Sequence, residues 1–234
     1  MARPRGSGYL DRPVSDSVPP LPTIPLDHKT RKPDEMIERS RSFRDQLQRR
    51  RSVRHFSDAA VPLEVLRNCV AAAASAPSGA NKQPWTFVVV TDPELKAQVR
   101  AAAEKEEEAF YGGRAGDRWL RDLAPLGVGP DKPFLEKAPA LIVVFAQRKG
   151  GDGDQHYYVN ESVGIAVGFL LAALNDAGLA TLTHTPSPMK FLREVLGRPD
   201  HEHPYMLIPV GLPVENCEVP DIKKKTLDEV LVER

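Results

Sequence analysis

Apolar positions along this chain switch between a helical and a strand-like period, and the switches outline its elements. Met36, Phe43 and Leu47 recur at helical spacing and predict a helix from residue 34 or 35 to about 50. Pro62 opens a second helix over 63–74, because proline at a helix start gives up an N–H that has no partner there anyway. Residues 85–90, Trp-Thr-Phe-Val-Val-Val, read as a strand. Asp92 and Pro93 form a helix start, with Asp as N-cap and Pro at the first helical position. That helix is expected to reach about Tyr111 and stop at Gly112 and Gly113. Residues 140–146 are a continuous apolar run, the pattern of a strand buried on both faces. A long apolar helix is predicted over about 156–177, ended by Gly178. A third strand follows at 179–185, a short helix at 189–196 closed by Gly197, and a fourth strand at 205–210.

Two segments fall outside this pattern. Residues 112–137 hold five glycines and three prolines, too many turn formers for one long helix. They predict a mobile lid with a short helical piece near Trp119, the lid region as a whole running over about 104–137. Residues 1–33 are proline-rich without helical periodicity and predict an extended or disordered arm, leaving 34–234 as the folded domain. The mixture of helices and strands predicts an α+β sandwich. Gly164 and Gly168, four apart on one face of the long helix, permit close helix approach, either inside one subunit or between two. The arm and the tail beyond residue 213 favour the second, an intertwined homodimer.

Composition narrows the function. The chain has 234 residues, enough for one large domain, and 32 basic residues balance 32 acidic ones. No bulk attraction to nucleic acid or an anionic membrane follows from that balance. Cys69 and Cys217 are the only cysteines, so neither a disulfide framework nor a four-cysteine metal site is expected. The longest apolar run, 163–174, falls short of the roughly 20 residues a bilayer span needs. No signal-peptide core opens the chain, and the expectation is a cytoplasmic protein. His201, Glu202 and His203 are not at metal-ligand spacing on a helix, and Asp152 and Asp154 lack the other ligands of a calcium loop. No metal site is expected. No GxGxxG or phosphate-loop pattern is present, hence no separate nicotinamide domain.

The chemistry concentrates in two segments. Arg49, Arg50, Arg51, Ser52 and Arg54 crowd four guanidinium forks and a hydroxyl just before the second helix, a set that matches phosphate oxygens in geometry and charge. Residues 76–85, Ala-Pro-Ser-Gly-Ala-Asn-Lys-Gln-Pro-Trp, link that helix to the first strand. Together they resemble the flavin-dependent nitroreductase superfamily. The resemblance sharpens to its iodotyrosine deiodinase branch through Glu106, Glu107, Glu108 and Tyr111, Arg118 and Trp119, Asp122 and Leu123, and the runs 168–174, 177–179, 196–199 and 209–211. It covers the chain from about Arg49 to the C-terminus.

This resemblance implies a nitroreductase-like fold, with a mixed central sheet flanked by helices, and a homodimer with FMN bound between subunits. It implies reductive dehalogenation of halotyrosines or related halophenols, with electrons from a reduced nicotinamide (NADP type) or a reductase or ferredoxin. Arg50, Arg51, Ser52 and Arg54 are similar to the family's phosphate and flavin contacts. Pro77 and Ser78 resemble residues beside the isoalloxazine, and Thr183, His184 and Thr185 a strand end along it. The Thr185 hydroxyl would face flavin N5 and support one-electron chemistry. Lys224 stands where the family commonly has arginine, which keeps the charge and loses the fork. His184 replaces a small polar residue and is expected to act through its backbone.

Glu107, Tyr111 and Lys132 resemble the set that binds the amino-acid zwitterion. Glu107 would accept from the ammonium, and Lys132 and Tyr111 would donate to the carboxylate. The first two are at i and i+4 and share a helix face. On spacing alone, residues 104–108 are an ordinary solvated acidic face. The Ala80 N–H would hold the substrate phenolate. The alternative on the same fold is a general nitroreductase or quinone reductase, in which the three residues have no ligand role. A flavin-binding protein without turnover is a further alternative.

Overall fold

The computed structural model describes residues 21–234. The chain divides between Ser40 and Arg41 into two compact units. In the first, residues 21–32 are exposed and carry no regular structure, and residues 1–20 of the expected arm lie outside the described residues. Helix α1 (Pro33–Arg49) spans the division and has no buried residue.

A four-stranded sheet organises the second unit. Strands β1 (Trp85–Val90), β2 (Ala140–Gln147), β3 (Ala180–Thr181) and β4 (Glu202–Gly211) lie in the order β1-β2-β4-β3, all paired antiparallel. The parallel contribution is a single bridge, Ser52 with Thr181, closed by Val53 N–H donating to the Thr181 carbonyl at 3.0 Å. The arginine run is thereby pinned along β3.

Side chains alternate across a strand, and β2 divides its apolar residues between two cores. Ala140, Ile142, Val144 and Ala146 face α2 (Leu63–Ala74) and α6 (Val159–Asp176), through Leu66, Cys69, Val163, Val167 and Leu170. Leu141, Val143 and Phe145 face the opposite layer, where α3 (Pro93–Ala109), α5 (Phe134–Lys137) and α7 (Lys190–Val195) contribute Val99, Ala103, Leu135 and Leu192. Each fully buried Leu or Phe contributes roughly 1.5–3 kcal/mol of transfer free energy. A strand covered on both faces explains the continuous apolar run.

Most expected elements are present with shifted ends. Asp92 caps α3 as expected, accepting from Leu95 N–H at 2.7 Å. The long helix starts at Val159 rather than 156, because Tyr158 takes the left-handed conformation (φ 49°) and cannot continue it backwards. The third strand is cut to two residues, although its extended path continues to His184. Leu182 N–H donates to the Pro209 carbonyl at 3.2 Å, but proline has no N–H to return the bond, so the ladder lapses there. It resumes at His184 and Leu207, which exchange both bonds at 2.9 and 3.0 Å. The stretch after Tyr111 is more helical than its glycines foretell: a π-helical turn (Phe110–Arg114), α4 (Asp117–Leu123), a 3-10 turn (Ala124–Leu126) and α5.

Candidate functional site

The interrupted end of the third strand forms one wall of a cavity of about 360 Å³. Leu182, Thr183, His184, Thr185 and Pro186 line that wall. Glu107, Phe110 and Tyr111 come from the end of α3 and the π-turn, Trp119 and Leu123 from α4, and Lys132, Pro133 and Phe134 from the loop into α5. Arg54 and His55 complete it from the arginine run. Seven of the expected site residues meet here: Arg54, Glu107, Tyr111, Lys132, Thr183, His184 and Thr185.

The acidic face of α3 is not uniformly solvated. Lys105 and Glu108 are exposed, but Glu107 is buried and its Oε2 lies 3.0 Å from Lys132 Nζ. The Lys132 ammonium also donates to the Gly129 carbonyl and sits 5.6 Å from the centre of the Tyr111 ring. Neighbouring charges hold the loop in place. The Lys132 N–H donates to Glu104 at 2.7 Å, and Arg100 binds both Glu104 and Glu136. Burial works against the Glu104 carboxylate, yet the Lys132 N–H and the Arg100 guanidinium outweigh it and hold its pKa below the usual value. Burial and the nearby Glu107 push the Tyr111 phenol up, so it remains a protonated donor near neutral pH.

His184 stands between these charges and the strand. Its backbone N–H and carbonyl are both engaged by Leu207, so its side chain, rather than the expected main chain, is what the cavity receives. The ring packs edge-on against Phe134 at 5.4 Å. Its Nε2 is 4.0 Å from Glu107 Oε1, too far for a hydrogen bond, and is buried without a partner. Burial, then the cations Lys132 and Arg54, pushes its pKa down to about 3, so the imidazole is neutral at ordinary pH.

The arginine run is shared between the site and the tail. Arg51 donates to the Pro220 carbonyl, which fastens the C-terminal segment beside the run. Among the described residues, no carboxylate pairs with Arg50, Arg51 or Arg54. Partial burial lowers the Arg54 pKa, with Tyr111 opposing, and guanidinium keeps its charge regardless. Guanidiniums without a carboxylate partner suit an anionic ligand, and Arg54 brings one to the cavity. Arg50, Arg51 and Ser52 do not line the cavity itself, and Lys224 lies exposed on the tail.

Pro77, Ser78 and Ala80 are not brought to this cavity. Their loop is built for a fixed shape elsewhere. Gln83 N–H donates to Ser78 Oγ at 2.9 Å, and Ala80, Asn81 and Gln83 all have positive φ. A Cβ on Gly79 would stand 2.8 Å from the Tyr157 carbonyl oxygen, so only glycine permits this approach to the start of α6. Sequence reasoning missed Phe110, Phe134, Leu182 and Pro186 as cavity walls, because isolated apolar residues carry no signal that separates a wall from a core.

The layers and the cavity define an α+β sandwich with a charged cavity where its sheet meets the helical segment after α3. The chain belongs to the nitroreductase family, whose pattern matches residues 47–212. It is 55% identical over 204 residues to the iodotyrosine deiodinase of Haliscomenobacter hydrossis, covering 86% of this chain and 92% of that protein. Identity to iodotyrosine deiodinase 1 of Homo sapiens is 47% over 216 residues, 89% of this chain and 74% of the relative. Among solved structures, oxidized iodotyrosine deiodinase bound to FMN and 3-iodo-L-tyrosine superposes with a TM-score of 0.73 at 32% identity, over 82% of this chain and 97% of that one.

Proposed function

We propose that this chain is an FMN-dependent reductive dehalogenase that converts halotyrosines, iodotyrosine among them, to tyrosine and halide. The buried Glu107–Lys132 pair beside the Tyr111 phenol carries the reading. A general reductase of flat aromatics has no use for a carboxylate and an ammonium side by side, whereas an amino-acid zwitterion complements both. The likeness to iodotyrosine deiodinases over most of the chain supports the same substrate.

The residues present fit FMN. Arg50, Arg51, Ser52 and Arg54, three of them guanidiniums without a carboxylate partner among the described residues, would hold its phosphate with Lys224 from the tail. Thr183, His184 and Thr185 would run along its ring. Bound FMN, once reduced by the electron donor, would supply two electrons, one at a time, and a proton would replace the departing halide on the substrate ring. Glu107 orients the substrate by its ammonium, and Lys132 and Tyr111 by its carboxylate. Phe110, Trp119 and Phe134 exclude water once the lid of about 104–137 closes. Thr185 is exposed at the cavity wall, where its hydroxyl would donate a hydrogen bond to the flavin.

The remaining site residues favour a homodimer. Pro77, Ser78 and Ala80 lie off this cavity, so they would serve the site of a second copy, with the Ala80 N–H on the substrate phenolate. Phe43 on α1 and Ile165 and Phe169 on α6 are 52%, 42% and 44% exposed, an apolar surface for such a partner. Electrons would come from a reduced nicotinamide, a reductase or a ferredoxin. No described helix is long and apolar enough to cross a membrane. Both cysteines are free, which suits a reducing cytoplasm.

Binding of 3-iodotyrosine and tyrosine to the purified flavoprotein, read by flavin fluorescence, tests the reading together with iodide release on reduction. Quenching by iodotyrosine with iodide release is the expected result. Turnover of nitroaromatics without affinity for halotyrosine would overturn it.

A further inference from the structure

His184 Nε2 is the one buried side-chain nitrogen or oxygen without a hydrogen-bond partner among the described residues. Buried polar atoms are nearly always paired, so an orphan on a cavity wall marks a place where a ligand completes the bonding. The ring cannot turn away to find another partner at no cost. Its backbone is fixed to Leu207 by two hydrogen bonds and its ring is held in a T-shaped contact with Phe134.

We propose that His184 Nε2 accepts a hydrogen bond from the ammonium group of the amino-acid substrate, sharing it with Glu107 and so adding a fourth residue to the specificity set. This rests on the halotyrosine reading. Glu107 Oε1 and His184 Nε2 are 4.0 Å apart, and a nitrogen placed between them reaches both at about 2.8 Å. Two neighbouring acceptors select a group with several donors. A carboxylate is repelled there by Glu107, and a neutral phenol has one proton to give. The imidazole is held neutral by burial and by Lys132 and Arg54, and in the tautomer with its proton on Nδ1 the Nε2 lone pair is free to accept. Lys132 does not fill the recess itself, because its ammonium is bonded to Glu107 Oε2 and Gly129. His184 thus reads the presence of an α-amino group, which the ring-recognising parts of the site cannot do.

The test compares two ligands that differ only in that group: 3-iodo-L-tyrosine and 3-(3-iodo-4-hydroxyphenyl)propanoate. Both are titrated into FMN-loaded protein and followed by flavin fluorescence. His184→Phe keeps bulk and removes the acceptor, with His184→Leu as a second apolar replacement should the first not fold. Either is expected to weaken iodotyrosine binding tenfold or more, and propanoate binding no more than about twofold. A tenfold loss corresponds to about 1.4 kcal/mol. His184→Gln, which returns a carbonyl acceptor at similar reach, is expected to restore most of the difference. Equal weakening of both ligands, or no change in either, would overturn the role of His184 while leaving the dehalogenase reading in place. Wild-type protein that binds neither ligand would overturn both.

Discussion

Lys132 Nζ lies 3.0 Å from Glu107 Oε2, with the two side chains only 6% and 11% exposed. Withdrawing both charges from water is costly, and their mutual attraction offsets that cost only while they stay paired. The pair ties the loop before α5 onto the end of α3. A zwitterion offers an ammonium to one partner and a carboxylate to the other, so it can replace this single contact with two. By the same arrangement, a halophenol without the amino-acid group is expected to gain little from this pair.

Glu107→Gln keeps the shape of the side chain and removes its charge. Lys132 is then buried without a counter-ion, and stability should fall by on the order of 1–3 kcal/mol in urea titration. Halotyrosine affinity should drop at least tenfold with FMN retained, and Lys132→Gln should act similarly. Simple halophenols should change little in either variant. A parallel loss for halotyrosine and halophenol would remove the zwitterion role.

Arg50→Ala removes one guanidinium from the run that has no carboxylate partner among the described residues. FMN affinity is expected to fall by about 1–3 kcal/mol, the loss of one charge-assisted bond. Fluorescence titration of the apoprotein with FMN measures it. Unchanged affinity would place the phosphate elsewhere.

Thr185→Ala takes a hydroxyl from the cavity wall and leaves the strand path, which the His184–Leu207 bonds hold. FMN and iodotyrosine binding should persist. Iodide release should fall by tenfold or more, while two-electron reduction of a nitroaromatic continues. Undiminished iodide release in this variant would strike Thr185 from the mechanism.

Phe169→Asp puts a charge on the exposed apolar face of α6, where Phe169 is 44% exposed. Sedimentation should shift from dimer to monomer, and FMN should be lost with it if both subunits build each site. A dimer that keeps its flavin would move the interface off α6.

Acid should weaken the fold through His184, whose pKa falls from 6.5 to about 3 on folding. A depressed value means that the unfolded chain binds the extra proton first as pH drops. Stability is therefore undiminished above pH 6.5 and is lost progressively towards pH 3. Between pH 7 and pH 5 the loss is on the order of 1–2 kcal/mol. Urea titrations at those two pH values measure it, and His184→Phe should show a correspondingly smaller difference.

Much of the fold is legible in the sequence because local rules write it. Asp92 and Pro93 announce α3, the run at 140–146 announces a strand covered on both faces, and Gly178 ends α6. Those signals are short-range: a cap, a period or a residue that tolerates positive φ. That Glu107 and Lys132 come together was legible only through family likeness, since an acidic helix face looks the same whether or not a lysine 25 residues later folds back onto it. Tertiary structure alone decided that Pro209, facing Leu182 across the sheet, would interrupt the third strand, and that His184 would end with an unpaired nitrogen beside Glu107. Tertiary structure also set Pro77, Ser78 and Ala80 apart from the cavity that holds their expected companions. The reason is physical. Capping and periodicity depend on neighbours a few residues away, whereas desolvation, pairing of charges and the return of a backbone hydrogen bond depend on whatever distant segment packing brings alongside.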